Sequence, residues 1–358
     1  MKYLSLFSGI GGFEVAIHRV FPDSECIGYS EIKPHAVKVY EQHFPGHKNL
    51  GDIREIKEEK IREVVKDGCD IIFGGFPCKN LSSLASIKGG NLGLDGNKSG
   101  LFYEMMKIIK YVNKILNKKV HVLFENNASM SNKNKTIITN IIKDEYKNIN
   151  MTVLNGSEFG VQCRKRLFWT DFVINKSDII CSQIWDDILD PVDKNMNISD
   201  NYLKCLNKSI HTKKLNKKIL SVGKIQRNTG EYKFFVNTIN DTYKSRWQMS
   251  FHSDTCDDNS DIPYTYPIGK CRPITASFGN HNVLIDRRNR TICQKDTFSV
   301  RMFSYTEMEK LFGYSEGYTL CLSHSKSKRR DVIGNSVIVP VIEYIFTQLK
   351  VNTNQPST

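Results

Sequence analysis

Long apolar segments are missing from this chain of 358 residues. No apolar run approaches the roughly 18 residues that a membrane-spanning helix needs. The first residues, MKYLSLFSGIGGFE, lack the apolar stretch and the cleavage site of a signal peptide. These absences disfavour a membrane or secreted protein. They predict an intracellular protein, in the cytoplasm of a prokaryote or the nucleus of a eukaryote.

Closely paired cysteines are missing too. The chain has 10 cysteines but no CxxC motif, and their spacing is unlike that of a disulfide-rich secreted scaffold. Reduced thiols are therefore predicted, so a cysteine is available as a nucleophile. The spacing of His252, Cys256, Cys271 and Cys293 matches no common zinc site, and no metal is predicted.

Acidic residues are in the minority. The chain has 51 lysines and arginines against 38 aspartates and glutamates, which gives a formal net charge of +13. Such a charge attracts polyanions, so nucleic acid is the leading candidate partner. A lysine-rich surface that binds no polyanion explains the charge equally well, and only the motifs can decide between the two.

The first half of the chain alternates between strand and helix patterns. The segments KYLSLFS, ECIGYSE, CDIIFGG and VHVLFEN predict strands, and helices are predicted from Phe13 and over residues 35–44. This alternation predicts an α/β fold with a doubly wound parallel sheet, in which ligands bind at the carboxyl ends of the strands. Further helices are predicted in SYTEMEKLFGY and in GNSVIVPVIEYIFTQL.

The pattern changes near residue 177. Lysines and arginines cluster over residues 204–246, and they are interleaved with Tyr232, Phe234, Phe235, Tyr243 and Trp247. We predict a catalytic domain built from residues 1–176 and 298–358, with a smaller domain of residues 177–297 inserted between them.

A glycine-rich segment, residues 7–12 (FSGIGG), lies between the first strand and the first helix. Its glycines allow a tight turn beside a ligand, and the helix N-terminus offers free amide groups to an anion. Glu31 follows the second strand, where a carboxylate can accept hydrogen bonds from ribose hydroxyls. Asp52 is a further acid at an expected strand end. Alternatively, the glycines form only a structural turn and the acids are helix caps or solvated turn residues.

Cys78 is the candidate nucleophile, although a lone cysteine is more often a small buried hydrophobe. It follows the strand CDIIFGG and Pro77, at the mouth of a long glycine-rich loop, while the next strand brings Glu125 to the same edge. A thiolate adding to cytosine carbon 6, with an acid protonating ring nitrogen 3, makes carbon 5 nucleophilic towards a methyl donor. We expect burial to raise the pKa of Glu125. Arg164 and Arg166 supply positive charge unless they belong to a solvated turn.

Together these segments resemble the cytosine-5 DNA methyltransferase family, in the family's order over residues 7–341. FSGIGG resembles its cofactor loop, FPCKNLS its nucleophile segment, ENN its Glu-Asn-Val segment, QCRKR its Gln-x-Arg-x-Arg segment and GNSVIVPV its C-terminal cofactor segment. The segments PCKNLS and TEMEKLFGY are most similar to the eukaryotic de novo branch. The resemblance implies a Rossmann-like sheet that binds S-adenosylmethionine, an inserted target-recognition domain, and methylation of carbon 5 of cytosine in double-stranded DNA.

The resemblance assigns residues to three sites. The predicted catalytic residues are Cys78, Glu125, Arg164 and Arg166. The predicted cofactor residues are Phe7, Ser8, Gly9, Ile10, Gly11, Gly12, Glu31, Ile32, Asp52, Ile53, Pro77, Asn335, Ser336 and Val337. The predicted DNA-binding residues are Ser82, Leu84, Lys88, Arg246 and Arg272.

The target base must leave the duplex to reach Cys78, and Leu84 is expected beside the gap that remains. Leu84 has the alternative of packing inward within its loop. Arg246 and Arg272 are expected to read bases, with a phosphate contact or a surface salt bridge as the alternative for each.

The chain departs from the common bacterial pattern at Lys79, at Asn127 and in the length of the glycine-rich loop, none of which removes a reactive group. Two other functions share most of the motifs. A tRNA cytosine-5 methyltransferase usually carries Gln-Pro-Phe-Thr where this chain has residues 79–82, KNLS. An inactive DNA-binding regulatory homologue is disfavoured because Cys78, Glu125 and Arg166 are retained.

Overall fold

The computed structural model describes residues 1–77, 100–181, 185–190, 226–228, 231–233, 247–251, 274, 281–286 and 299–354. Its main sheet has six strands in the order β2-β1-β3-β4-β6-β5. These strands are β1 (Lys2–Leu6), β2 (Glu25–Ser30), β3 (Ile71–Gly75), β4 (His121–Asn127), β5 (Asn150–Asn155) and β6 (Lys165–Thr170). The α/β fold class is confirmed.

Helices cover this sheet. They are α1 (Gly12–Val20), α2 (Pro34–His43), α3 (Glu58–Val64), α4 (Leu101–Leu116), α5 (Asn132–Glu145), α6 (Trp185–Ile188), α7 (Tyr305–Leu311), α8 (Lys326–Gly334) and α9 (Val339–Asn354). Of these, α1, α2, α7 and α9 lie where the sequence predicts helices. Helix α7 begins at the N-cap Ser304, whose hydroxyl accepts a hydrogen bond from the amide of Glu307 in a capping box. The helix predicted from GNSVIVPV starts only at Val339, so residues 335–337 precede it as a connecting segment.

The sheet is parallel only in part. Strands β1 to β4 are parallel to one another, as predicted, but β6 runs antiparallel to both β4 and β5. The connection between β5 and β6 contains only a short 3-10 helix, Gly156–Glu158. A parallel crossover needs about a dozen residues or more, usually a helix, so this short connection returns the chain in the opposite direction.

Alternating side chains divide the core between the two faces of the sheet. Tyr3 and Phe73 belong to the cluster that includes α1 and α9, whereas Leu4 and Ile72 belong to the cluster that includes α4. Successive strand residues point to opposite faces, so buried residues at every position require cover on both sides. This two-sided cover is the doubly wound architecture that the sequence predicts.

Helix α9 packs against α1 and completes one layer. Among the described residues, Lys326–Thr353 is the one stretch with the length and composition of a membrane-crossing helix, and most of its apolar part is buried. Ile342, Ile345 and Phe346 are fully buried in the core, and the Phe346 ring meets the Phe73 ring at 5.5 Å. A core helix accounts for these properties.

Part of the predicted inserted domain is described. It contains a two-stranded hairpin of β7 (Gln226–Asn228) and β8 (Glu231–Lys233), and the strands β9 (Trp247–Phe251) and β10 (His281–Asp286). The latter two form a sheet with β11 (Ser299–Met302), which lies beyond the predicted boundary at residue 297. Strand β10 is parallel to β9 and antiparallel to β11. The domain boundaries at residues 177 and 297 remain predictions.

Candidate active site

The glycine-rich segment forms a tight turn at the carboxyl end of β1. Gly9 and Gly11 have φ angles of 57° and 86°, which L side chains rarely adopt. Gly11 is the N-cap of α1, so the first amides of this helix face the turn. In the part of the chain that the structure describes, and apart from residues 8 to 10 themselves, no atom lies within 4 Å of the position that a Cβ would take at Gly9. This turn therefore leaves space for a ligand beside the helix N-terminus.

Glu31 follows β2 and is held by backbone amides. Its Oε2 accepts a hydrogen bond from the Gly9 amide at 2.9 Å, and its Oε1 accepts from the amides of Ile32 at 2.9 Å and Lys33 at 2.8 Å. The carboxylate thus joins the ends of β1 and β2. The Ile32 side chain beside it is 58% exposed, so an apolar surface is available for a flat ring.

Asp52 differs from its expected setting. No described strand ends there, because Asn49 makes only an isolated bridge to Tyr29. Asp52 is the N-cap of the 3-10 helix Ile53–Glu55 and accepts a hydrogen bond from the Arg54 amide. Its side chain also forms an ion pair with Arg54, whose hydrogen bond lowers the pKa of Asp52. The expected strand end was therefore wrong, and the helix-cap alternative describes the position; a cofactor contact remains a prediction.

Residues 335–337 return to the glycine-rich turn, as the resemblance implies. A Cβ at position 12 would lie 2.6 Å from Tyr314 Oη and 2.7 Å from Val337 Cγ2. A side chain at position 12 would force Tyr314 or Val337 to shift, and Ser336 Oγ is hydrogen-bonded to the same Tyr314 hydroxyl. The hydroxyl of Tyr318 donates to the carbonyl of Ile10 at 2.8 Å, across 308 residues. These contacts therefore hold residues 335–337 beside the glycine-rich turn.

Glu125 occupies the carboxyl end of β4, opposite Gly75 of β3. Its Oε2 lies only 2.7 Å from the position that a Cβ would take at Gly75, so the carboxyl group covers the end of β3. Asn126 is 1% exposed and donates from Nδ2 to the carbonyl of Phe76 at 3.1 Å. This bond holds the chain just before Pro77 and Cys78 against the Glu125 strand.

The charge environment of Glu125 agrees with the expectation from sequence. Its Oε1 lies 2.7 Å from Arg166 Nε, and both side chains are mostly buried. Burial raises the pKa of Glu125, while the positive charges of Arg166 and Arg164 offset this effect only in part. The predicted direction of the pKa is therefore confirmed.

Arg164 joins three segments through its guanidinium group. It donates to the carbonyl of Ile274 at 2.9 Å, to that of Gly334 at 3.0 Å and to that of Ser336 at 2.8 Å. The guanidinium also lies 5.1 Å from the centre of the Phe312 ring. These contacts fix β6 to the segment that closes the pocket, a positioning role that the sequence alone did not indicate.

Several predicted site residues lie outside the described residues, and their roles remain predictions. They are Cys78, Ser82, Leu84, Lys88, Arg246 and Arg272. Sequence reasoning also missed Asn126 and Asp331, which contact the predicted site. Asn126 stands in the quoted ENN segment, and a polar residue buried beside a candidate acid is the signal that could have identified it.

Comparisons with known proteins agree with this geometry. The C-5 cytosine-specific DNA methylase family matches residues 1–351. The type II methyltransferase M2.BsuMI of Bacillus subtilis is 39% identical over 110 residues, which are 31% of this chain and 25% of the relative. The type II methyltransferase M.NgoBV of Neisseria gonorrhoeae is 29% identical over 195 residues, covering 50% of this chain and 43% of the relative. Each match therefore spans less than half of the relative's length.

Solved structures share the fold. The methyltransferase EhMeth of Entamoeba histolytica has a TM-score of 0.69 at 16% identity, with 99% of each chain covered. Spodoptera frugiperda DNMT2 has a TM-score of 0.62 at 17% identity, with 98% of this chain and 99% of that chain covered. The six-stranded sheet is thus the Rossmann-like sheet of these methyltransferases. Because the family match covers nearly the whole sequence, the chain belongs to the C-5 cytosine-specific DNA methylase family.

Proposed function

We propose that this protein transfers a methyl group from S-adenosylmethionine to carbon 5 of a flipped-out cytosine in double-stranded DNA. The observation that carries the proposal is the position of Glu125. It is a buried acid with a raised pKa, and its carboxyl group lies against Gly75. Gly75 precedes Cys78 by three residues in the sequence. A thiol and a protonated carboxyl group are the two groups that this chemistry requires.

The described pocket fits the cofactor. The open space beside Gly9 and the first amides of α1 can receive the carboxylate of its methionine part. Glu31 keeps acceptor capacity for ribose hydroxyls, and the exposed Ile32 can cover the adenine ring. Residues 335–337 supply the opposite wall. When bound, S-adenosylmethionine supplies an electrophilic methyl group on a sulfonium centre.

The residues of this chain then act on the base. The Cys78 thiolate adds to carbon 6 while Glu125 donates a proton to nitrogen 3, which leaves carbon 5 as an enamine carbon. Carbon 5 forms its bond to the methyl group as the carbon–sulfur bond of the donor breaks. A base then removes the proton of carbon 5, the bond between Cys78 and carbon 6 breaks, and nitrogen 3 returns its proton.

The substrate proposal rests on charge and on family membership. The net charge of +13 favours binding of a polyanion. A DNA substrate implies that the protein acts in the cytoplasm or the nucleus. Residues 177–297 are proposed as the target-recognition domain, with Arg246 and Arg272 as base-reading candidates. A tRNA substrate is the alternative, disfavoured by the sequence KNLS after Cys78.

Tritiated S-adenosylmethionine offered with duplex DNA or with tRNA tests the proposal, because the label should enter only DNA. Cys78→Ala should abolish transfer and leave cofactor affinity within a few-fold, since the thiol takes part only in the chemical step. Cys69→Ala is the matched control at the other end of β3, where burial raises the pKa of the thiol to about 12.

A second measurement identifies the nucleophile directly. Duplex DNA with 5-fluorocytosine at the target should trap a covalent complex, because fluorine cannot leave carbon 5 as a proton does. The complex should form with Cys69→Ala and not with Cys78→Ala. Adduct formation by Cys78→Ala would show that another cysteine attacks, and label in tRNA alone would replace DNA as the substrate.

A further inference from the structure

The carboxylate of Asp331, in the last turn of α8, contacts two parts of the chain that are far from each other in sequence. Its Oδ2 lies 2.9 Å from His35 Nε2 and 3.3 Å from Lys33 Nζ, both near the start of α2. Its Oδ1 accepts a hydrogen bond from Asn335 Nδ2 at 2.9 Å. One half-buried side chain therefore joins the segment after β2 to the segment after α8.

Two of the three partners of Asp331, Lys33 and Asn335, belong to the walls of the proposed cofactor pocket. Lys33 donates its amide to Glu31, and Glu31 in turn accepts from the Gly9 amide. Asn335 begins the segment whose Val337 packs on Gly12. The hydrogen bonds and ion pairs thus run without a break from Gly9 to Asn335, with Asp331 as the link between the two walls.

The charge of Asp331 suits this link. Partial burial acts to raise its pKa, but the hydrogen bond from His35 and the charge of Lys33 outweigh burial and hold the pKa below its usual range. Asp331 is therefore a carboxylate at neutral pH. It retains attraction for both basic groups and for the Asn335 amide.

Other contacts maintain the fold in this region without Asp331. Arg164 binds the carbonyls of Gly334 and Ser336, and α9 packs on α1 through buried apolar side chains. Loss of the Asp331 carboxylate should therefore leave the chain folded. Its loss should change only the spacing between the two pocket walls.

We propose that Asp331 is a positioning residue that sets the spacing of the two cofactor-pocket walls, and so sets the affinity for S-adenosylmethionine without touching the reacting atoms. This inference rests on the proposed function, because it assumes that the pocket holds this cofactor. It predicts a weaker cofactor complex and an unchanged chemical step when the carboxylate is lost.

Calorimetry on the full chain tests the affinity. Asp331→Asn should weaken binding of S-adenosylmethionine and of S-adenosylhomocysteine by about three- to tenfold, the range for partly exposed charged hydrogen bonds. Glu343→Gln is the matched control, because Arg19 and Glu343 form an ion pair of similar exposure between α1 and α9, away from the pocket. The control should keep its affinity within about twofold.

A second readout uses the protein without cofactor. In Asp331→Asn, amide hydrogen exchange at residues 32–33 and 335–337 should be faster than in the unaltered chain, while β3 and β4 keep their protection. The methylation rate at saturating cofactor should stay the same and KM for the cofactor should rise. A fall in the saturated rate with unchanged KM would contradict a positioning role.

A double-mutant cycle addresses the link from its other side. Lys33→Met alone should weaken cofactor binding. Adding Asp331→Asn to this variant should lower the cofactor affinity by less than it does in the unaltered chain, since the ion pair is already lost. Equal affinities of Asp331→Asn and the unaltered chain would overturn the positioning role alone. No cofactor binding by the unaltered chain would overturn this inference together with the proposed function.

Discussion

Glu31 and Glu125 stand at the carboxyl ends of two strands of the same sheet, yet their surroundings differ. Glu31, after β2, accepts three backbone hydrogen bonds from Gly9, Ile32 and Lys33. Glu125, within β4, is buried against Arg166 and covers Gly75, and burial raises its pKa. One glutamate is fixed as an acceptor, whereas the other is suited to hold a proton. The surroundings, rather than the residue type, assign the two roles.

Glu125→Gln should give the largest effect, because it removes the proton that nitrogen 3 requires. The methylation rate at saturating substrates should fall by about 10² or more, the usual contribution of a positioned general acid. Cofactor affinity should change little, because the described contacts of Glu125 are with β3 and Arg166 rather than with the cofactor turn. Single-turnover transfer of labelled methyl groups and calorimetry measure the two quantities separately.

The pH dependence sharpens this prediction. Because burial raises the pKa of Glu125, its protonated form persists to higher pH than that of an exposed glutamate. The rate of the chemical step should therefore decline as pH rises through the raised pKa, and Glu125→Gln should lose that limb of the profile. If Glu125→Gln kept a rate near that of the unaltered chain, Glu125 would have a structural role rather than a catalytic one.

Glu14 extends the comparison to a buried glutamate with no proposed ligand. It lies on α1 and accepts a hydrogen bond from the Tyr40 hydroxyl at 3.1 Å. Burial raises its pKa from 4.5 to about 7, against hydrogen bonds that lower it. Between these two values the folded protein holds a proton that the unfolded chain has released. The contribution of Glu14 to stability therefore falls as pH rises from about 4.5 to about 7.

Glu14→Gln should remove this dependence, because glutamine stays neutral. Relative to the unaltered chain, the variant should gain roughly 2 to 3 kcal/mol in the free energy of unfolding between pH 5 and pH 8, at about 1.4 kcal/mol for each unit of pKa shift. Denaturant titrations at the two pH values measure the gain. The same difference at both pH values would mean that Glu14 is ionised throughout.

Glu31→Ala should have a smaller effect, confined to the cofactor. We expect a loss of roughly 1 to 3 kcal/mol in the free energy of binding S-adenosylmethionine, the range for a charged hydrogen bond. The rate at saturating cofactor should stay within a few-fold. Calorimetry is the measurement, and unchanged affinity would remove Glu31 from the pocket.

Asp52→Ala is the companion to the Glu31 variant. Its carboxylate already binds Arg54 as an N-cap and ion pair, so fewer of its acceptor positions remain for a ligand. The loss in cofactor affinity should be smaller than for Glu31→Ala, below about 1 kcal/mol. An equal or greater loss would show that Asp52 exchanges Arg54 for the cofactor.

The sequence predicted the central strands and the candidate acid well, for a physical reason. Strands buried on both faces are continuous apolar runs, and Glu125 interrupts such a run at its end, so local patterning identifies both. Contacts across long separations leave no local signal. Nothing near Arg164 indicates that its guanidinium binds the carbonyls of Ile274 and Gly334.

The direction of β6 and the setting of Asp52 both differ from the sequence-based expectation because strand pairing is not visible in local sequence. The reversal of β6 depends on a connection too short for a crossover, which is a matter of length rather than of strand pattern. Asp52 was expected at a strand end, within the segment Gly51-Asp52-Ile53, but only an isolated bridge at Asn49 forms there. The local sequence around Asp52 suggested a strand, but a strand forms only where the backbone pairs with another strand, and local sequence does not show that pairing.

The hydrogen bond between Tyr318 and Ile10, across 308 residues, bears on the order in which the protein matures. The glycine-rich turn that contains Ile10 is synthesised 308 residues before the tyrosine that binds it. Contacts so distant in sequence form late and slowly, because a long loop must close before they stabilise anything. A nascent chain can therefore carry the first strand and its glycine turn through the synthesis of the intervening residues before Tyr318 can bind the Ile10 carbonyl.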